Sequence, residues 1–86
     1  MKLTLLGGGG FRVPLMVRTL LEDSSEQRVR ALTLWDSNHV RLRTMERIVR
    51  AMVESVPHAP SVRVATDLRD AVRGADFVFS AIRVGG

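Results

Sequence analysis

The sequence predicts an α/β fold in which a parallel sheet of about four strands carries helices on both faces. Three observations support this prediction. Short apolar runs alternate with amphipathic segments along all 86 residues, four glycines separate the first apolar run from the first amphipathic segment, and an aspartate closes the second apolar run. Strands and helices that alternate in this way form parallel sheets with right-handed crossovers. The expected strand order is 3-2-1-4.

Hydrophobic periodicity places each element. Predicted strands cover residues 3–6, 29–35, 61–65 and 76–82, and predicted helices cover 13–22, a stretch that ends near Pro57, and 68–74. The middle helix is predicted from apolar residues at i, i+3 and i+4 spacing, namely Met45, Ile48, Val49, Met52, Val53 and Val56. The last strand is almost wholly apolar, so we expect it to be central and covered on both faces.

Composition and charge restrict the functional classes. The chain has the length of one small domain, contains no cysteine for disulfides or metal ligation, and has no apolar run near the roughly 20 residues of a membrane span. We therefore expect a cytoplasmic protein with no membrane contact. The net charge of +4 comes from arginines that are scattered without interleaved aromatics, so we do not expect nucleic-acid binding. His58 lies in a Pro-rich connection and is predicted to be a surface residue.

The glycine run predicts an anion site. A strand, a glycine-rich turn and a helix that begins near Pro14 place free backbone N–H groups at a helix start, where a pyrophosphate is the usual ligand. Gly7 and Gly9 fill the first two positions of the G-x-G-x-x-G fingerprint, but Arg12 occupies the third. The predicted cofactor-binding residues of the turn are Gly7, Gly8, Gly9, Gly10, Phe11 and Arg12. The alternative is a tight turn without a ligand.

Asp36 follows the second predicted strand. An acidic residue at this position accepts hydrogen bonds from a ribose diol and repels a 2′-phosphate, which favours NAD over NADP. Arg41 and Arg43 keep NADP open as an alternative, because a nearby arginine can hold that phosphate. Asp36 could also serve only as an Asx turn or helix cap before residues 37–38.

The three features meet in the predicted topology. Ligands of such sheets bind beyond the carboxyl ends of the strands, at the switch point between strands 1 and 4. The glycine turn, Asp36 and residues 82–86 all lie at that edge. The sequence therefore predicts a dinucleotide site on a Rossmann-like sheet, with Ile82 and Arg83 added to the predicted cofactor-binding residues.

The motifs resemble the start of glycoside hydrolase family 4, and most closely its 6-phospho-β-glucosidase branch. They are Leu-Gly-Gly-Gly-Gly-Phe-Arg-Val-Pro, then Leu-Trp-Asp, Gly-Ala-Asp-Phe-Val and Ile-Arg-Val-Gly-Gly, and the resemblance covers the whole chain. Gly10 and Val13 depart from the Ser and Thr that many members carry.

This resemblance implies hydrolysis of 6-phosphoglycosides, such as phosphorylated disaccharides, by oxidation, elimination and addition. NAD accepts and returns a hydride at C3 of the sugar, and a divalent metal, usually Mn²⁺, stabilises the developing charge. The resemblance also implies that the catalytic and metal-binding residues lie beyond Gly86. We therefore expect residues 1–86 to be an N-terminal cofactor-binding segment, inactive alone, of a homo-oligomeric enzyme.

Two alternatives remain from the sequence. The same fold serves NAD-dependent hydroxy-acid dehydrogenases, and a non-catalytic nucleotide-sensing or nucleic-acid-binding module could carry the same turn.

Overall fold

A computed structural model describes residues 1–7, 9–10 and 12–80 of the chain. The elements in chain order are β1 (Lys2–Leu6), α1 (Val13–Glu22), β2 (Ala31–Trp35), α2 (His39–Val53), β3 (Ser61–Val64), α3 (Leu68–Val72) and β4 (Phe77–Ser80). All four strands are parallel, and they form one sheet in the order β3-β2-β1-β4. The predicted element order and strand order are both confirmed.

The hydrophobic core lies on one face of the sheet. In the parallel register, Leu3 lies opposite Leu32, and Leu5 lies opposite Leu34, so these side chains share a face. Helices α1 and α2 cover that face with their apolar stripes. The fully or nearly fully buried members of this core are Leu5, Val13, Val17, Val29, Leu32, Leu34, Leu42, Met45 and Val49.

The opposite face is more polar and carries α3. The Thr4 side chain is buried there, and its hydroxyl donates to the carbonyl of Ala71 in α3 over 2.6 Å. On the same face of β3, Arg63 forms an ion pair with Asp70 of α3 at 3.0 Å. These contacts fix α3 on the face away from α1 and α2, so the helices occupy both faces as predicted.

The ends of the helices follow local sequence signals. The Asn38 side chain accepts from the Arg41 amide and begins α2, and the Asp67 side chain accepts from the Asp70 amide and begins α3. Gly74 ends the segment after α3 with a φ of 74°, a conformation that glycine adopts without steric cost. Asp67 and Gly74 thus mark the start of α3 and the turn that follows it.

The burial prediction for the last strand is wrong. Strand β4 is exposed along all four residues, and among the described residues it pairs only with β1, at one edge of the sheet. The Phe77 and Phe79 side chains are 62% and 52% exposed. Ile48 is 41% exposed because it lies about 100° around α2 from Val49, at the border of the buried stripe. No helix in the described part of the chain is long and apolar enough to cross a membrane.

Candidate functional site

The glycine turn and Asp36 lie side by side at the carboxyl edge of the sheet. Strands β1 and β2 are neighbours in register, with Leu6 opposite Trp35, so the residues that follow them leave the sheet at the same place. The backbone N–H of Gly9 donates to Oδ2 of Asp36 over 2.9 Å. The structure therefore brings together two predicted site residues that are 27 positions apart.

The turn closes through its own backbone. Gly7 adopts a φ of 80°, and its carbonyl accepts from the Gly10 amide over 2.9 Å. The Gly10 carbonyl in turn accepts from the Val13 amide over 3.1 Å, which leads the chain directly into α1. Position 7 of this turn needs glycine, because a positive φ is unfavourable for a residue with a side chain.

Gly9 is required for a different reason. A Cβ atom at Gly9 would lie 2.8 Å from Oδ2 of Asp36 and 2.9 Å from Cβ of Arg41, closer than real carbon atoms approach. A Cβ at Gly10 would meet only the Gly7 carbonyl oxygen, at 3.1 Å. Gly9 is thus the point at which the turn packs directly against the end of β2 and the first turn of α2.

Asp36 uses both carboxylate oxygens within the chain. Oδ2 accepts from Gly9, and Oδ1 accepts from the amide of Asn38 over 2.8 Å, which forms an Asx turn. The residue is 8% exposed. A carboxylate oxygen can accept more than one hydrogen bond, so the Asx turn does not exclude a further hydroxyl donor. Asp36 therefore forms the Asx turn that the sequence left open, and this turn is compatible with a ribose contact.

The two arginines that kept NADP open differ in their surroundings. Arg43 donates to Glu46 over 3.1 Å, and Arg50 donates to the other oxygen of the same carboxylate. Burial alone would raise the pKa of Glu46, but these hydrogen bonds outweigh it, so the pKa is lowered. The Arg41 side chain is exposed and makes no hydrogen bond or ion pair to a described residue, so of these two arginines it is the one available next to the turn.

The other predicted site residues divide into two groups. Arg12 lies at the start of α1 with an exposed side chain, beside the turn as predicted. Four further predicted cofactor-binding residues lie outside the described residues: Gly8, Phe11, Ile82 and Arg83. Their proposed contacts with a cofactor stay predictions.

Sequence reasoning missed how tightly Asp36 is connected to its surroundings. The Asn38 amide donates to the Asp36 carboxylate, while the Asn38 side chain accepts from the Arg41 amide and caps α2. Next to Asp36, the Trp35 indole N–H donates to the Thr66 carbonyl over 3.3 Å. The signal for the cap was available, since an Asn three residues after a strand and directly before a helix is a strong N-cap candidate. The direct bond from Gly9 to Asp36 has no sequence signal.

A cleft of about 230 Å³ lies at the opposite, amino edge of the sheet. Its walls include Leu20, Arg28 and Pro57, and His58 lies at its border with a φ of 62° and an exposed side chain. Asp23, also at this cleft, has a lowered pKa because the Ser25 amide donates to its carboxylate. Among residues 1–7, 9–10 and 12–80, no cluster of His, Cys, Asp and Glu could hold a metal ion.

Comparison with known proteins decides the family. The sequence model of the family 4 glycosyl hydrolases matches residues 2–86. The chain belongs to glycosyl hydrolase family 4. This membership agrees with the family resemblance of the sequence motifs. No curated protein sequence matches the chain.

Solved structures of 6-phosphoglucosidases are similar to this family 4 chain. One is a 6-phospho-α-glucosidase from gut microorganisms, solved in complex with NAD and glucose-6-phosphate, at 26% identity and a TM-score of 0.88. Another is the 6-phospho-β-glucosidase from Thermotoga maritima, solved with manganese, NAD⁺ and glucose-6-phosphate, at 24% identity and a TM-score of 0.87. Both matches cover 100% of this chain and 20% or 21% of those proteins, so the chain spans about a fifth of their length.

Proposed function

We propose that this family 4 chain is the N-terminal NAD-binding segment of a cytoplasmic 6-phospho-β-glucosidase that depends on NAD and a divalent metal. Family membership supports a glycosidase, and the similar solved structures carry NAD and glucose-6-phosphate. The preference for the β anomer rests on the resemblance of the sequence motifs, since both α- and β-specific enzymes share the fold. On this proposal, the substrate and catalytic parts lie outside residues 1–86.

One observation carries the proposal: the glycine turn and Asp36 meet at the carboxyl edge of the sheet, 2.9 Å apart. Parallel α/β sheets bind nucleotides at this edge, next to the first strand. The adenosine ribose of a dinucleotide would lie near Asp36 and its diphosphate near the turn. Had the two features been on opposite sides of the molecule, a single nucleotide could not reach both.

The residues at this edge fit a dinucleotide. The remaining lone pairs of the Asp36 carboxylate would accept the two ribose hydroxyls, and its charge would repel a 2′-phosphate. The amides of Gly9, Gly10 and Val13 already donate within the chain, so a diphosphate would depend on other amides of the turn and on the exposed guanidinium of Arg12. The roles of Gly7, Gly8, Phe11, Ile82 and Arg83 in this site remain part of the proposal.

The chemistry of the whole enzyme divides between this segment and the rest of the protein. Bound NAD supplies a hydride acceptor, and a divalent metal such as Mn²⁺ supplies a Lewis acid for the sugar oxygen. The contribution of residues 1–86 is to bind and orient the nucleotide at the sheet edge. We propose that residues outside this chain hold the metal, and that residues 1–86 alone do not hydrolyse glycosides.

A titration with NAD tests the binding proposal. Trp35 is the only tryptophan and directly precedes Asp36, so its fluorescence reports on this edge of the sheet. We expect a saturable change with NAD that Asp36→Ala weakens at least tenfold, because a hydrogen bond to a charged group contributes about 1.5–3 kcal/mol. DNA should give no saturable signal at physiological salt, where purely electrostatic binding is weak. An unchanged NAD affinity in the variant would overturn the assignment of Asp36.

Activity and assembly require the full-length enzyme. We expect it to hydrolyse a nitrophenyl 6-phospho-β-glucoside, with NAD and Mn²⁺ present, faster than the α anomer, and the reverse preference would reject the β assignment. We also propose a homo-oligomer. For residues 1–86 alone, the exposed apolar side chains of Phe77, Val78 and Phe79 in β4 support self-association. Light scattering after size-exclusion chromatography should give a mass above that of one chain, and a monomer would reject this part.

A further inference from the structure

Asp36 connects three parts of the fold at the sheet edge. One carboxylate oxygen holds the Gly9 amide of the glycine turn at 2.9 Å, and the other holds the Asn38 amide at 2.8 Å. The Asn38 side chain then accepts from the Arg41 amide in α2 over 3.1 Å. Asp36 is 8% exposed, so these hydrogen bonds are largely shielded from water. A chain of hydrogen bonds thereby connects the glycine turn to the end of β2 and the start of α2.

We propose that Asp36 is a positioning residue for the glycine turn, in addition to its proposed contact with ribose. This inference rests on the proposed NAD-binding function and extends it. The Asp36 carboxylate fixes the Gly9 amide, and through it the path of the turn that faces the diphosphate. Loss of the carboxylate should therefore weaken the binding of a diphosphate even when the ligand has no diol for Asp36 to hold.

The physical reason is the backbone freedom of glycine. Glycine restricts the backbone less than any other residue, so the described part of the turn, Gly9 and Gly10, needs external contacts to hold one conformation. Gly9 supplies them, since its α-carbon packs against Asp36 and Arg41 closely enough to leave no room for a Cβ. Without the carboxylate, the Gly9 N–H would be a buried donor without its partner, and such groups favour a rearranged backbone.

Two nucleotides separate the positioning role from the ribose contact. ADP carries the diol and the diphosphate, whereas 2′,3′-dideoxy-ADP carries the diphosphate without the diol. If Asp36 only holds the diol, Asp36→Ala will weaken the binding of ADP and leave the affinity for dideoxy-ADP unchanged. If Asp36 also positions the turn, the variant will weaken the binding of dideoxy-ADP as well, by about tenfold, because the lost hydrogen bond also involves the charged carboxylate. Calorimetric titration of the full chain measures both affinities.

Asp67→Ala is the matched control. Asp67 also uses its carboxylate to hold a backbone amide, that of Asp70, but it lies at the start of α3. This variant should lower stability without changing either affinity by more than about twofold. If both variants weaken dideoxy-ADP equally, the effect is general destabilisation and the positioning role is wrong.

Hydrogen exchange gives a readout that needs no nucleotide. The Gly9 amide should exchange at least tenfold faster in Asp36→Ala than in the wild type, while the Gly10 amide, held by Gly7, should change less. Unchanged Gly9 exchange would overturn the inference. If Asp36→Ala does not fold, Asp36→Asn replaces it, because its single carbonyl oxygen can hold only one of the two amides. Failure of the wild type to bind either nucleotide would overturn the proposed function itself, whatever the exchange rates.

Discussion

Replacement of Gly9 by alanine is the most direct test of the packing at the sheet edge. The added Cβ would lie 2.8 Å from the Asp36 carboxylate, 2.9 Å from Cβ of Arg41 and 3.0 Å from its carbonyl carbon. Two of these three neighbours belong to the backbone or its first side-chain atom, which cannot rotate away. The turn must therefore separate from α2, and the hydrogen bond between Gly9 and Asp36 must lengthen or break.

The expected loss of stability is moderate. Overpacking of a well-packed site costs typically 1–3 kcal/mol, or about 2. Alanine also reduces the freedom of the unfolded chain, which restores about 0.7 kcal/mol. The net loss of about 1.3 kcal/mol corresponds to a decrease in melting temperature of roughly 5–10 °C for a domain of this size. Because the turn is displaced, we also expect the affinity for NAD to fall at least tenfold.

Two other glycines provide matched controls, measured by thermal melting and by NAD titration. Gly10→Ala meets one atom at 3.1 Å and should change both properties less than Gly9→Ala. Gly74→Ala has no atom within 4 Å of the new Cβ but keeps a φ of 74°. It should cost about 1–2 kcal/mol of stability from the backbone conformation alone and leave NAD binding unchanged. Wild-type melting and wild-type NAD affinity in Gly9→Ala would refute the close packing of the turn on Asp36.

Three further predictions concern other contacts. Thr4→Val should lower the free energy of unfolding, measured in urea, by about 1–2 kcal/mol, because the buried hydroxyl donates to the carbonyl of Ala71. Thr33→Val is the control and should cost under about 0.5 kcal/mol, because the Thr33 hydroxyl makes no hydrogen bond to a described residue. Equal losses in the two variants would contradict this prediction. Glu46→Gln should cost about 0.5 kcal/mol at pH 7. Because the pKa of Glu46 is lowered in the folded state, this contribution is present above the ordinary value of 4.5 and should fade as the pH falls further; a difference that grows on acidification would refute it. NAD should bind more tightly than NADP, and Asp36→Ala should reduce this preference, measured as the ratio of the two dissociation constants. A larger preference for NAD in the variant would show that the charge of Asp36 does not cause it.

The sequence was sufficient to predict the architecture. The bounds of α1 agree with the prediction, and the four strands appear in the predicted order. Periodicity works here because each buried helix face and strand repeats a local pattern. It fails at Ile48 because an apolar residue at the border of a stripe satisfies the same spacing as one at its centre, although it is 41% exposed.

The candidate site was predictable only in part. The position of Asp36 at the end of β2 and the glycine turn at the end of β1 follow from topology, which brings both to one edge. Their direct hydrogen bond does not follow, because it depends on the path of a glycine turn that local sequence leaves open. The sequence likewise does not predict that both carboxylate oxygens of Asp36 accept hydrogen bonds from backbone amides.

The Gly9 position also changes how its part in the fingerprint is understood. The second glycine of such a motif is usually explained by the close approach of the pyrophosphate to the backbone. Here a Cβ at Gly9 would instead collide with Asp36 and Arg41, which belong to the protein itself. The requirement for glycine at position 9 therefore follows from the packing of the turn on β2 and α2, before any ligand is considered. The close approach that requires glycine at position 9 also sets the distance between the turn and Asp36, the proposed ribose contact.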